Sequence, residues 1–86
     1  MRPVSSVAAF IAEYAVGDPT AASIVDGLDE DARLAVGAQR QPVAERRAWL
    51  RERTSKDWSA AWLAHVEQGA FVQIRRELQR RGLWRA

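Results

Sequence analysis

The residues whose chemistry can be put to use fall into three groups: one histidine, one run of acids and a crowded set of arginines. Any proton-shuttling imidazole must be His65, since the chain has no second histidine, and with no cysteine it has neither thiolates nor disulfides. His65 falls between Trp62 and Val66 at helical spacing on an apolar face. An imidazole in such a place is expected to pack with one nitrogen satisfied, not to serve as a general base. Asp26, Asp29, Glu30 and Asp31 gather carboxylates as a divalent cation would require. Magnesium, however, takes one or two carboxylates together with substrate phosphates, and no phosphate-cradling glycine loop accompanies them. Three successive acids suit a helix start, where they face the positive end of the macrodipole. No catalytic residues, metal ligands or cofactor are assigned. The expected function is binding, not catalysis.

The arginines carry the positive side of the argument. The net charge of +2 conceals an asymmetry. Residues 1–36 hold two bases and six acids, for −4, while residues 37–86 hold eleven bases and five acids, for +6. Twelve of the thirteen bases are arginine, and asparagine is absent. GC-rich coding of the bacterial or phage kind enriches arginine and alanine in this way without regard to function. The last fourteen residues, QIRRELQRRGLWRA, contain five arginines and one acid, Glu77.

The elements that must position these groups are helical throughout. Ser5 or Ser6 caps a helix bearing Val7, Phe10, Ile11 and Tyr14 at one-face spacing, and Gly17 ends it. Asp18-Pro19 opens a second, with Ile24, Val25 and Leu28 on one side and Gly27 as its break. Asp29-Glu30-Asp31 opens a third, stopped at Gly37 or within Gln39–Gln41. Gln41-Pro42 starts a fourth over 43–53, in which Val43 and Leu50 share a face with Trp49 to one side. After a polar break at 54–57, the pattern stays helical from Trp58 to Arg81. Trp58, Ala61, Trp62, His65 and Val66 line one side of its first half, and Phe71, Ile74 and Leu78 line the second. These stripes do not register on one straight helix, so a bend or break is expected at Gly69. Gly82 stops the run, and Leu83-Trp84 folds back over its end. The expected fold is all-α: one compact domain, 1–86, of five or six short helices. A chain this size buries only about 60–65% of its unfolded surface, so one modest core is expected.

Residues 11–28, IAEYAVGDPTAASIVDGL, resemble in part the helix-turn-helix of bacterial repressors. Ile11, Ala12, Ala15 and Val25 match its hydrophobic and small positions. The likeness covers about a fifth of the chain. Val16 stands where the motif's turn has glycine, and the second helix offers Thr20, Ser23 and Asp26 where arginine or amide side chains would read bases. The segment is therefore read as two helices joined by a short turn.

Two binding roles follow. In the first, a nucleic-acid-associated regulator docks Arg76 and Arg80, with Arg46, Arg47 and Arg51, on phosphates and holds Gln73 and Gln79 near base edges. Arg81 pairs with Glu77 and Arg75 borders the apolar face, which leaves Arg76 and Arg80 outward. Lying four apart, they repel by a few tenths of a kcal/mol, roughly, unless an anion intervenes. In the second, a protein–protein adaptor or inhibitor presents Trp49 or Trp84 as an anchor rimmed by arginine. The partner is thus a nucleic acid or an acidic protein surface. The charge asymmetry also allows acidic helices to cover basic ones, or two copies to pair head to tail as a homodimer. The apolar run 7–12 is too short for a signal peptide and is interrupted by Glu13, and no stretch approaches a membrane span. A cytoplasmic location away from membranes is expected.

Overall fold

A computed structural model describes residues 1–85. Five α-helices fold into one all-α body measuring 36 × 22 × 19 Å. They are α1 (Val7–Ala15), α2 (Pro19–Asp26), α3 (Glu30–Ala38), α4 (Arg46–Arg53) and α5 (Ala60–Arg80), with a 3₁₀ turn at Val43–Glu45 before α4.

Local chemistry sets most of the boundaries. Ser6 accepts from the Ala9 amide at 3.1 Å, Asp18 from Ala21 at 2.9 Å and Asp29 from Ala32 at 2.9 Å, so the first three helix starts are capped by side chains. Pro19 occupies the first turn of α2, where its missing N–H is no loss. Gly17 and Gly82 adopt positive φ, 86° and 71°. Each supplies the left-handed residue of the same helix ending. At α1 the Asp18 amide reaches the Glu13 carbonyl at 3.1 Å and the Gly17 amide reaches Tyr14 at 3.1 Å. At α5 the matching bonds are Leu83 to Leu78 at 2.8 Å and Gly82 to Gln79 at 3.1 Å.

α5 departs from the expected form. It is one helix of 21 residues, continuous through Gly69. Ser59 caps it, accepting from the Trp62 amide at 3.1 Å, so Trp58 lies outside the helix and does not share its phase. The inward stripe is Leu63, Ala70, Ile74 and Leu78, with Val66 partly buried between. That stripe holds one register from end to end. The mismatch arose from assigning Trp62 and His65 to the interior. Both are exposed, and Trp62 keeps 41% of its surface in water. Val43 also departs from its assigned face: it belongs to the 3₁₀ turn, out of phase with Leu50, and is 75% exposed.

The core has two parts. Phe10, Ala21, Ile24, Val25, Leu28, Ala32 and Val36 pack with Ala70, Ile74 and Leu78 of the second half of α5. Ala35, Ala38, Leu50 and Trp58 pack with Leu63 of its first half. α3 lies between and contributes to both. Trp58 is fully buried, and its indole N–H donates to Thr54 Oγ1 at 2.9 Å, so no polar atom is stranded. The Thr54 hydroxyl in turn donates to the Leu50 carbonyl at 3.0 Å, joining the end of α4 to the Trp58 loop.

Nothing lies within 4 Å of a Cβ built on Gly69. Gly69→Ala should therefore stabilise the protein by about 0.5–1 kcal/mol through helix propensity alone. Gly82→Ala should destabilise it by about 1–2 kcal/mol because of the positive φ. Urea or thermal denaturation checks both, and in a chain of this size about 1 kcal/mol corresponds to about 4–8 °C in Tm.

Candidate nucleic-acid interface

The last turn of α5 carries Glu77 flanked by Arg75, Arg76, Arg80 and Arg81. Arginine is favourable there for a purely local reason, since it faces the negative end of the helix dipole. The arrangement is widened by a contact between distant parts of the chain. Val4 and Trp84 form an isolated parallel bridge. The Val4 amide donates to the Leu83 carbonyl at 2.9 Å, and the Arg85 amide donates to the Val4 carbonyl at 2.8 Å. Val4 is buried in the larger core cluster, with Leu83 and Trp84 packed against that cluster. The bridge brings the segment bearing Arg2 beside the segment bearing Arg85, at the C-terminal end of α5. Six exposed arginines, 2, 75, 76, 80, 81 and 85, thus lie on the last turns of α5 and on the two segments bridged beside its end; Glu77 is the acid of those turns, and Asp18 meets the Met1 amine at 3.7 Å next to Arg2.

Glu77 organises two of them. Its carboxylate accepts from Arg80 through two hydrogen bonds and from Arg81 Nε at 2.8 Å. These bonds, from Arg80 first and Arg81 second, hold the Glu77 carboxyl down at about 2. Arg80 was expected to stand free and instead shares this carboxylate. Arg75 lies over the Trp84 ring at 5.0 Å. Arg76 has no ion-pair partner among the described residues, and Gln79 beside it is exposed. Gln73 is also exposed, one turn nearer the N-terminus of α5, on the rims of two shallow grooves, one shared with α3 and one with α2.

The other predicted arginines are elsewhere. Arg47 Nε donates to the Trp58 carbonyl at 2.6 Å, and Arg51 pairs with Asp57 at 3.0 Å. Both contacts lie just before the first turn of α5, while Arg80 lies in its last. The separation is about 30 Å at 1.5 Å per residue. Arg46 Nε donates to the Gln41 carbonyl at 3.1 Å and borders a groove with Val7, Ile11 and Phe71. Arg47 and Arg51 hold the Trp58 loop and do not join Arg76 and Arg80 in one surface, while Arg46 holds the start of α4 and faces the middle of α5 at Phe71. The acidic α3 does pack on α5, but among the described residues no arginine pairs with an acid of the first half. Among the described residues, Lys56–Asp31 at 2.7 Å is the one side-chain ion pair that joins the two halves of the chain.

Trp49 and Trp84 are both half-buried under arginine. Arg53 lies over the Trp49 ring at 3.9 Å, and the ring rests on Gly37, where an added Cβ would come within 3.2 Å of it. The openly exposed tryptophan is Trp62, set 5.6 Å from the His65 ring. In the resemblance region, α1 and α2 are indeed two helices joined by a short turn, and the outward residues of α2 include Ser23 and Asp26. The contribution of Arg2 had no local signal in the sequence: a single apolar Val4 in a polar stretch does not announce its partner eighty residues away.

Compared with known proteins, the chain matches no family model, no curated protein and no solved structure.

The depressed Glu77 carboxyl gives a signed pH dependence. A carboxyl whose folded value lies below its ordinary 4.5 adds stability that is present above 4.5 and is lost as the pH falls towards 2. Wild-type protein should lose stability across that window by more than Glu77→Gln does. The difference between their acid-unfolding curves checks this.

Proposed function

We propose that this chain is a small, non-catalytic, nucleic-acid-associated regulator that grips phosphates with the basic end built by α5 and the two chain termini. The observation that carries the reading is the Val4–Trp84 bridge, which adds Arg2 and Arg85 to the arginines of the last helical turns. Arginine forks suit phosphate oxygens, and Arg76, with no acid of its own, is the first candidate for direct contact. Gln73 and Gln79 on the same stretch would lie near base edges. With one carboxylate, Glu77, shared between Arg80 and Arg81, the end keeps a net positive charge. The non-catalytic assignment draws on the lone histidine and the lack of cysteine. A cytoplasmic setting is in keeping with this role, and no helix among the described residues is long and apolar enough to cross a membrane.

The test is duplex and single-strand binding as a function of salt. Affinity should fall steeply as salt rises, the logarithmic slope losing about 0.9 for each duplex phosphate contact removed. Arg76→Ala with Arg80→Ala should reduce the slope by about 2 and weaken binding, and Arg2→Ala should reduce it by about 1. Arg51→Ala, at the far end of α5, should leave both unchanged. Glu77→Gln, which releases Arg80 and Arg81, should tighten binding. If the pure protein retains neither DNA nor RNA at low salt, the reading is lost. A protein–protein role is favoured by one separate observation, the exposure of Trp62.

A further inference from the structure

The outward face of α5 changes character along its length. From Ala60 to Ile74 the helix has one formally charged residue, Glu67, and this is half-buried and hydrogen-bonded to Gln39. The outward residues of that stretch are uncharged in a chain that is 28% charged. Trp62, His65, Gly69, Val72, Arg76 and Gln79 are all exposed and follow one another at spacings of three and four, the repeat of a two-helix seam. Trp62 and Val72 are 41% and 43% exposed. They are the exposed large hydrophobics of α5; Val16 and Val43 lie outside the α-helices. Tyr14, Trp49 and Trp84 each lie under a guanidinium, whereas Trp62 has no such cover among the described residues. Gly69 leaves a notch in the middle of the seam, with nothing within 4 Å of where its Cβ would be.

We propose that this seam is a self-association surface on which α5 of a second copy packs antiparallel. The chemistry of the strip is self-complementary about the level of residue 67, as a two-fold contact requires. In that register Trp62 meets Val72 of the second copy, and His65 fills the notch at Gly69. Every large apolar group on the seam then has an apolar partner. Charge supports the same direction. Antiparallel packing sets Arg75 and Arg76 of the second copy level with the start of α5, beside Asp57, whose side chain stays 84% exposed while paired with Arg51. A parallel pairing would instead set the two basic ends against each other. Arg76 and Gln79 belong to both surfaces, while Arg80, Arg81, Arg85 and Arg2 stay outside the seam; Trp62 and Gly69, which the nucleic-acid reading does not use, keep the two proposals separable.

Sedimentation equilibrium from micromolar to millimolar concentration, without nucleic acid, tests it. The mass should rise from 9.6 kDa towards a dimer. Trp62→Ala and Gly69→Arg should each weaken association at least about tenfold. Gly69 has open space around it and Trp62 lies outside the buried core, so far-ultraviolet circular dichroism should be unchanged in both. Spin labels at Gln68 should approach closely across the dimer, and labels at Gln79 should be about 36 Å apart along the helix axis. A strict monomer at all concentrations, a dimer untouched by both substitutions, or close labels at Gln79 would each overturn the proposal.

Discussion

The buried stripe Leu63–Ala70–Ile74–Leu78 of α5 holds the domain together, because both parts of the core form against it and α3 is clamped between them. A domain this small cannot afford two independent cores. One long helix solves the problem by offering its two halves to different neighbours in one register. The continuity of α5 through Gly69 is therefore a structural requirement, and the glycine is tolerated because both sides of the helix are held by packing. The same continuity decides the surface. Residues rotated out of the stripe form an unbroken outward face, uncharged at first and basic at the end.

What could be read in advance, and what could not, follows from the range of the interactions. Caps and helix stops are made by residues three to five apart, and Asp18, Asp29, Gly17 and Gly82 could be identified from type and position alone, with the first cap narrowed to Ser5 or Ser6. The all-α fold followed from them. The phase of α5 was harder, because Trp58 is large and apolar and invites a helical stripe to begin with it. Ser59 is the residue that forbids this, by capping the helix one position later. Once Leu63 replaces Trp62 as the inward residue, no bend is needed. The site was legible only in part. The arginines of the last turns could be placed on their helix, but the Val4–Trp84 bridge that adds Arg2 and Arg85 joins opposite ends of the chain and leaves no periodic trace.

Arginine has two uses in this molecule, and they are separated by what each guanidinium can reach. Arg47 and Arg51 are held by the Trp58 carbonyl and by Asp57, and Arg53 and Arg75 cover indole rings. These contacts seal the edges of the core, where a planar, weakly hydrated cation can lie on apolar surface. At the end of α5 the supply of such partners runs out. One glutamate serves two arginines there, and Arg76 has no acid at all. The acidic residues of the first half do not make up the deficit. Asp18 and Asp29 are spent on helix caps and Asp31 on Lys56.

That uneven distribution bears on how the two surfaces of α5 would work together. A basic end whose charge is not neutralised within the fold repels a second basic end, and so opposes any association that brings two of them together. An antiparallel seam places them at opposite extremes of the pair, and places each beside the exposed Asp57 at the start of the other α5. The uncharged face and the basic end are then compatible parts of one helix: the first fixes the direction of pairing, and the second makes the other direction unfavourable.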